Sequence, residues 1–148
     1  MTRLRGFLAR HRRIALDTSV FIYNLEDYPR YVDLAHTVFA WLERAGHSAV
    51  TSTLTFTELL AQPYRDLSED RVTAFIGLLS AYPNLEWIPP DLQIASRAAR
   101  LRAVHRLRTA DAIQAATAIH SGATALITND LVFRRLDAFA TLVLDDLL

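Results

Sequence analysis

A chain of 148 residues, 51% hydrophobic and 22% charged, is long enough for one domain with a substantial core, and its composition excludes disorder. The absence of cysteine excludes disulfides, thiolate metal sites and cysteine nucleophiles. Sixteen basic and sixteen acidic side chains balance, which excludes a blanket attraction to polyanions, yet every basic residue is arginine.

Residues 1–13 form a basic extension carrying Arg3, Arg5, Arg10, Arg12 and Arg13. Asp17 interrupts the apolar run that follows and no small-residue cleavage site appears, so the chain reads as cytoplasmic and unprocessed. No apolar run reaches the roughly 18 residues of a membrane span. Ile14-Ala15-Leu16 reads as a short buried strand. Tyr31 to Ala45 carries a helical apolar stripe ended by Gly46, Ser48 to Ser52 reads as a strand, and Phe56 to Ala61 as a helix stopped by Pro63. Ser68 opens a helix to about Tyr82, and Leu85 to Ile88 is a third strand closed by Pro89-Pro90. Asp91 to about Leu107 and Thr109 to His120 read as consecutive helices, the second ended by Ser121-Gly122. Ala125 to Ile127 and Thr141 to Leu144 supply the fourth and fifth strands. Strands alternating with helices predict an α/β fold, a parallel sheet of about five strands with helices on both faces. Right-handed crossovers then align the carboxyl ends of the strands along one edge, where such sheets bind ligands.

Four acids fall at element junctions. Asp17 follows the first strand, where it fits a helix N-cap. Glu58 lies three residues after Thr55, as in a capping box. Asp111 enters the first turn of a helix, and Asp130 follows the fourth strand in an Asn129-Asp130 turn pair. Strand order places Asp17, Glu58 and Asp130 at the same sheet edge; the position of Asp111, whose helix follows another helix, does not follow from it. Apolar neighbours around the acids predict partial desolvation. Carboxylates about 5 Å apart at an effective dielectric near 20 repel by roughly 3 kcal/mol per pair, so a tight cluster of four needs protons or a divalent cation. Oxygen ligands without cysteine or a spaced histidine pair favour Mg²⁺ or Mn²⁺. His11, His36, His47, His105 and His120 show no catalytic spacing.

Four segments together carry a family resemblance: Leu16-Asp17-Thr18-Ser19-Val20-Phe21-Ile22-Tyr23, Thr57-Glu58-Leu59-Leu60, Thr109-Ala110-Asp111-Ala112-Ile113-Gln114-Ala115-Ala116, and Ile127-Thr128-Asn129-Asp130 with Phe133. In this order, over about residues 14–148, they resemble the PIN-domain nucleases and most closely the VapC-type toxins of toxin–antitoxin pairs. The resemblance implies an acidic quartet of Asp17, Glu58, Asp111 and Asp130 around Mg²⁺ or Mn²⁺, supported by Ser19, Thr128 and Asn129. It implies endoribonuclease activity leaving 5′-phosphate and 3′-hydroxyl ends, an antitoxin partner, and a homodimer through helix faces such as Phe75, Leu78 and Leu79.

Arginine's planar fork matches phosphate geometry, so Arg97, Arg100, Arg108, Arg134 and Arg135 are candidates for gripping the RNA backbone. Tyr23 and Tyr28 are candidates for stacking on bases. The rival reading from another class is a catalytically silent PIN-like module that binds RNA or protein, its acids acting only as helix caps. Receiver-type and dehalogenase-type chemistry is disfavoured by the absence of lysine, and no glycine-rich phosphate loop or G-x-S-x-G segment is present.

Overall fold

The computed structural model describes residues 1–148 as a five-stranded parallel sheet between two helical layers. The strands are β1 (Arg13–Leu16), β2 (Ser48–Ser52), β3 (Leu85–Ile88), β4 (Ala125–Thr128) and β5 (Ala140–Val143), in the order β3-β2-β1-β4-β5. The chain therefore builds outward from β1 in one direction through β2 and β3. It then crosses back to lay β4 on the other side of β1. This reversal opens a crevice at the carboxyl ends of β1 and β4, the place where α/β sheets bind ligands.

Alternation along the strands sorts side chains between two cores. Ile14, Leu16, Ala49, Ala125 and Ile127 face one cluster, whereas Ala15, Val50 and Leu126 face the other. The first is covered by α1 (Thr2–Leu8), α2 (Thr18–Leu25), α3 (Val32–Leu42), α4 (Leu54–Arg65) and α5 (Glu69–Ala81). The second is covered by α6 (Leu92–His105), α7 (Thr109–His120) and a 3-10 helix, Leu131–Arg135, that buries Phe133. A second 3-10 helix, Leu144–Leu147, follows β5.

Several elements depart from the sequence reading. Residues 2–8 form α1, which buries Leu4, Phe7 and Leu8 in the larger core, so this basic segment is folded against the body. The helix expected from Phe56 to Ala61 begins earlier, at Leu54, and runs through Pro63 to Arg65. Pro63 sits in the last turn, where it lacks the N–H that would bond the carbonyl four residues earlier, and its ring is buried. Phe75 and Leu79 pack into the core rather than presenting a dimer face; of that trio only Leu78 is exposed. Gly122 takes positive φ directly after the Ser121 cap of α7, as its predicted role in ending that helix requires, whereas α3 already ends at Leu42, four residues before Gly46. Arg106 adopts the left-handed conformation at the end of α6, which turns the chain sharply into α7.

Candidate active site

Parallel pairing of β1 with β4 sets Leu16 opposite Ile127, so the residues following the two strands emerge side by side. Asp17 is the N-cap of α2, its Oδ1 accepting the Thr18 N–H at 2.9 Å. Its Oδ2 accepts the hydroxyl of Thr128, the last residue of β4, at 2.7 Å. That hydroxyl oxygen also accepts the backbone N–H of Asp130 at 2.9 Å. Asp130 caps the 3-10 helix, Oδ1 accepting the Val132 N–H at 3.0 Å. One hydroxyl thus ties the two acidic junctions together. Burial pushes the Asp17 carboxyl up to about 6, opposed by its hydrogen bonds from Thr128 and Thr18 and reinforced by the negative charges of Glu58 and Asp111.

Glu58 is exposed, one turn into α4, and its Oε1 accepts the Thr18 hydroxyl at 3.1 Å. The expected capping box does not form. Thr53 is the N-cap, and Thr55 is buried within the helix, its hydroxyl 2.8 Å from that of Thr51 and accepting the Gln114 amide at 2.6 Å. Packing of the first turn of α4 against α7 has converted a predicted cap into an internal link. Partial desolvation, expected for all four acids, is therefore uneven. Asp17 is partly buried, the Asp111 side chain is 16% exposed, and that of Asp130 is 40% exposed.

Asp111, whose place strand order left open, is positioned by the packing of α7 on β2. Gln114, one turn further along, accepts the Ser52 N–H at 3.3 Å and donates to Thr55, so β2 and α4 both hold α7. The four acids then line one cleft of about 640 Å³ together with Ser19, Asn129 and Arg108. The Ser19 hydroxyl is buried there with no hydrogen-bond partner. Asn129 is fixed by donating to the Tyr23 hydroxyl at 3.0 Å and accepting the Asp145 N–H at 2.9 Å. Thr128 stands behind Asp17 and steadies it. No three acidic or imidazole groups stand close enough to form a ready-made metal cage. A larger groove of about 900 Å³ between α1 and α3 contains no carboxylate and lies apart from this chemistry.

Of the five arginines singled out in the sequence, only Arg108 reaches the acids. Its Nε donates to Asp111 Oδ2 at 3.3 Å, and its Nη2 lies 3.9 Å from Asp130 Oδ2. Arg97 and Arg100 line a separate groove beside Leu92 and His120. Arg134 pairs with Asp146, and Arg135 donates to the His105 carbonyl at 3.1 Å. Tyr23 is packed, stacked on Tyr31 with ring centroids 4.2 Å apart. Sequence reasoning missed the supporting roles of Thr18, Thr51, Thr55 and Gln114. Gln114 carried a legible signal, a lone amide one turn after Asp111 among Ala112, Ala115 and Ala116.

Fold and site together define an α/β domain with an acidic cleft at the carboxyl edge of a parallel sheet. The model of the PIN domain matches residues 14–138, and the chain belongs to that family. No curated protein matches the chain significantly. Among solved structures it is similar to VapBC2 from Rickettsia felis bound to a DNA fragment from its promoter, at 18% identity and a TM-score of 0.72, over 88% of this chain and 98% of that one. It is similar to VapBC-1 from nontypeable Haemophilus influenzae, at 19% identity and a TM-score of 0.68, over 90% and 98% of the two chains. A toxin–antitoxin complex from Klebsiella pneumoniae aligns at 21% identity and a TM-score of 0.67, over 88% and 97%.

Proposed function

We propose that this PIN domain is a divalent-metal-dependent endoribonuclease, the toxin of a toxin–antitoxin pair. The observation that carries the reading is the convergence of Asp17, Glu58, Asp111 and Asp130, from four separate parts of the chain, on one cleft. The partnerless Ser19 hydroxyl beside them is a donor and acceptor without a protein role. An all-oxygen donor set suits Mg²⁺ or Mn²⁺. Mg²⁺ in particular is held by one or two carboxylates with several waters.

Asp17, Asp111 and Asp130 would hold the ion, directly or through water. When bound, it supplies charge neutralisation at the phosphodiester and a water of lowered pKa. Thr18 and Thr128 hold both Asp17 oxygens in place, so the carboxylate enters the reaction already oriented. Glu58, anchored by the Thr18 hydroxyl, is placed to align the attacking water. Ser19 and Asn129 line the same wall and orient the substrate phosphate. In-line attack leaves 5′-phosphate and 3′-hydroxyl products.

The toxin part of the reading is supported by structural neighbours that are toxin–antitoxin complexes. It entails a cytoplasmic protein with a small antitoxin covering the cleft, and a homodimer. No helix is long and apolar enough to cross a membrane. The test is cleavage of RNA by the purified chain, with and without chelator, and by Asp17→Asn. Cleavage that persists in both removes the carboxylate–metal mechanism. Expression alone should slow bacterial growth, and co-expression of the antitoxin should restore it.

One observation favours the silent module: the single charge of Arg108 already partly offsets those of Asp111 and Asp130 without any ion. A folded protein that binds no Mn²⁺ and cleaves no RNA would establish that alternative.

A further inference from the structure

Arg108 precedes α7 in extended backbone, and its side chain is 83% exposed although its guanidinium reaches Asp111 and Asp130. It is the only basic residue among those lining the cleft. Arginine remains charged at every relevant pH, so it places a permanent positive charge between two of the carboxylates. A divalent ion shared by Asp111 and Asp130 would need that same space, and like charges so close repel. The arginine is mostly exposed to solvent, and its polar contacts are these two, at 3.3 and 3.9 Å.

We infer that Arg108 is a tethered counterion that stabilises Asp111 and Asp130 in the metal-free protein, is displaced when the ion binds, and then grips a phosphate of the RNA at the mouth of the cleft. This rests on the metal-dependent reading above. The exchange couples cofactor loading to substrate capture. Metal-free protein keeps its phosphate-binding arginine occupied. Loaded protein presents it, and the planar fork suits a phosphate better than a lysine would.

The test compares the wild-type chain with Arg108→Gln and with Arg135→Gln, the latter removing the same charge from an arginine that faces the His105 carbonyl instead. Mn²⁺ affinity of the protein without RNA is read by electron paramagnetic resonance, and melting curves confirm folding. Arg108→Gln is expected to bind Mn²⁺ about three- to tenfold more tightly, and Arg135→Gln to match wild type. With saturating Mn²⁺, Arg108→Gln is expected to raise KM for a short single-stranded RNA at least threefold while changing kcat little. Mn²⁺ affinity unchanged or weakened in Arg108→Gln overturns the inference, as does an equal tightening in both variants or an unchanged KM. Wild type that binds no Mn²⁺ overturns the metal reading itself, and this inference with it.

Discussion

Gln114 of α7 donates its side-chain amide to the hydroxyl of Thr55 in α4 at 2.6 Å, in a buried layer just beneath the acidic cleft. Its carbonyl oxygen accepts the Ser52 N–H, and Thr55 lies within 3.3 Å of the Thr18 hydroxyl that holds Glu58. The positions of Asp111 and Glu58 are therefore set by one shared polar network, and its members cannot shift independently.

Gln114→Leu keeps the volume but takes the acceptor from the Ser52 N–H and leaves the Thr55 hydroxyl only Thr51 and Thr18 as partners. Leaving a buried N–H unsatisfied costs about 1–3 kcal/mol, so chemical denaturation should show a loss of stability. RNA cleavage should fall as well, because Asp111 loses its reference. Unchanged stability and unchanged turnover would remove the network from the account of the site.

The Asp17 carboxyl is raised from 3.8 to about 6, chiefly by burial. A raised acid keeps its proton in the folded state while the unfolded chain has lost it. The stabilising contribution is complete below about pH 4 and is lost as pH rises through about 6. Without divalent ions, wild type should therefore lose on the order of 2–3 kcal/mol relative to Asp17→Asn as pH rises from 4 to 7. Urea denaturation at several pH values, in chelator, checks this; a difference between the two proteins that stays flat with pH contradicts it.

Deprotonated Asp17 is the form that can face a cation, so Mg²⁺ should stabilise the wild type above about pH 6 and much less below it. At a hundred times its dissociation constant a ligand adds about 2.7 kcal/mol, readily seen as a shift in melting temperature. Asp17→Asn should show a far smaller shift. Equal shifts in both proteins would place the ion elsewhere.

Leu4 is fully buried, anchoring α1 on the larger core. Leu4→Ala should cost about 2–5 kcal/mol, the range for truncating a buried leucine. Because α1 contributes nothing to the acidic cleft, activity per folded molecule should stay close to wild type. A variant that melts like the parent would mean that this helix is only loosely applied to the body.

Much of this architecture is legible in the residues. Short β-prone apolar runs at Ile14 to Leu16, Ser48 to Ser52 and Ala125 to Ile127 marked strands, and their alternation with helical stripes determined the parallel sheet. Strand order alone then pointed Asp17 and Asp130 toward a common edge. What escaped was short or depended on distant packing. Thr2 to Leu8 spans two turns and reveals its buried face only through Leu4, Phe7 and Leu8. Pro63 stops a helix in isolation, but here it falls in the last turn and packs inward. Thr55 resembles a cap until α7 arrives to claim its hydroxyl. The arginines illustrate the same limit: five candidates look alike in sequence, and only the sharp turn at Arg106 brings one of them, Arg108, back over the acids.

The crossing of the chain from one side of β1 to the other has a consequence for synthesis. Asp17 emerges from the ribosome early, but its neighbours Thr128 and Asp130 lie near the other end, beyond all seven α-helices. A growing chain can complete the β1–β2–β3 half and still lack a wall of the cleft. Any chemistry that needs all four acids therefore waits until β4 and Asp130 have been translated.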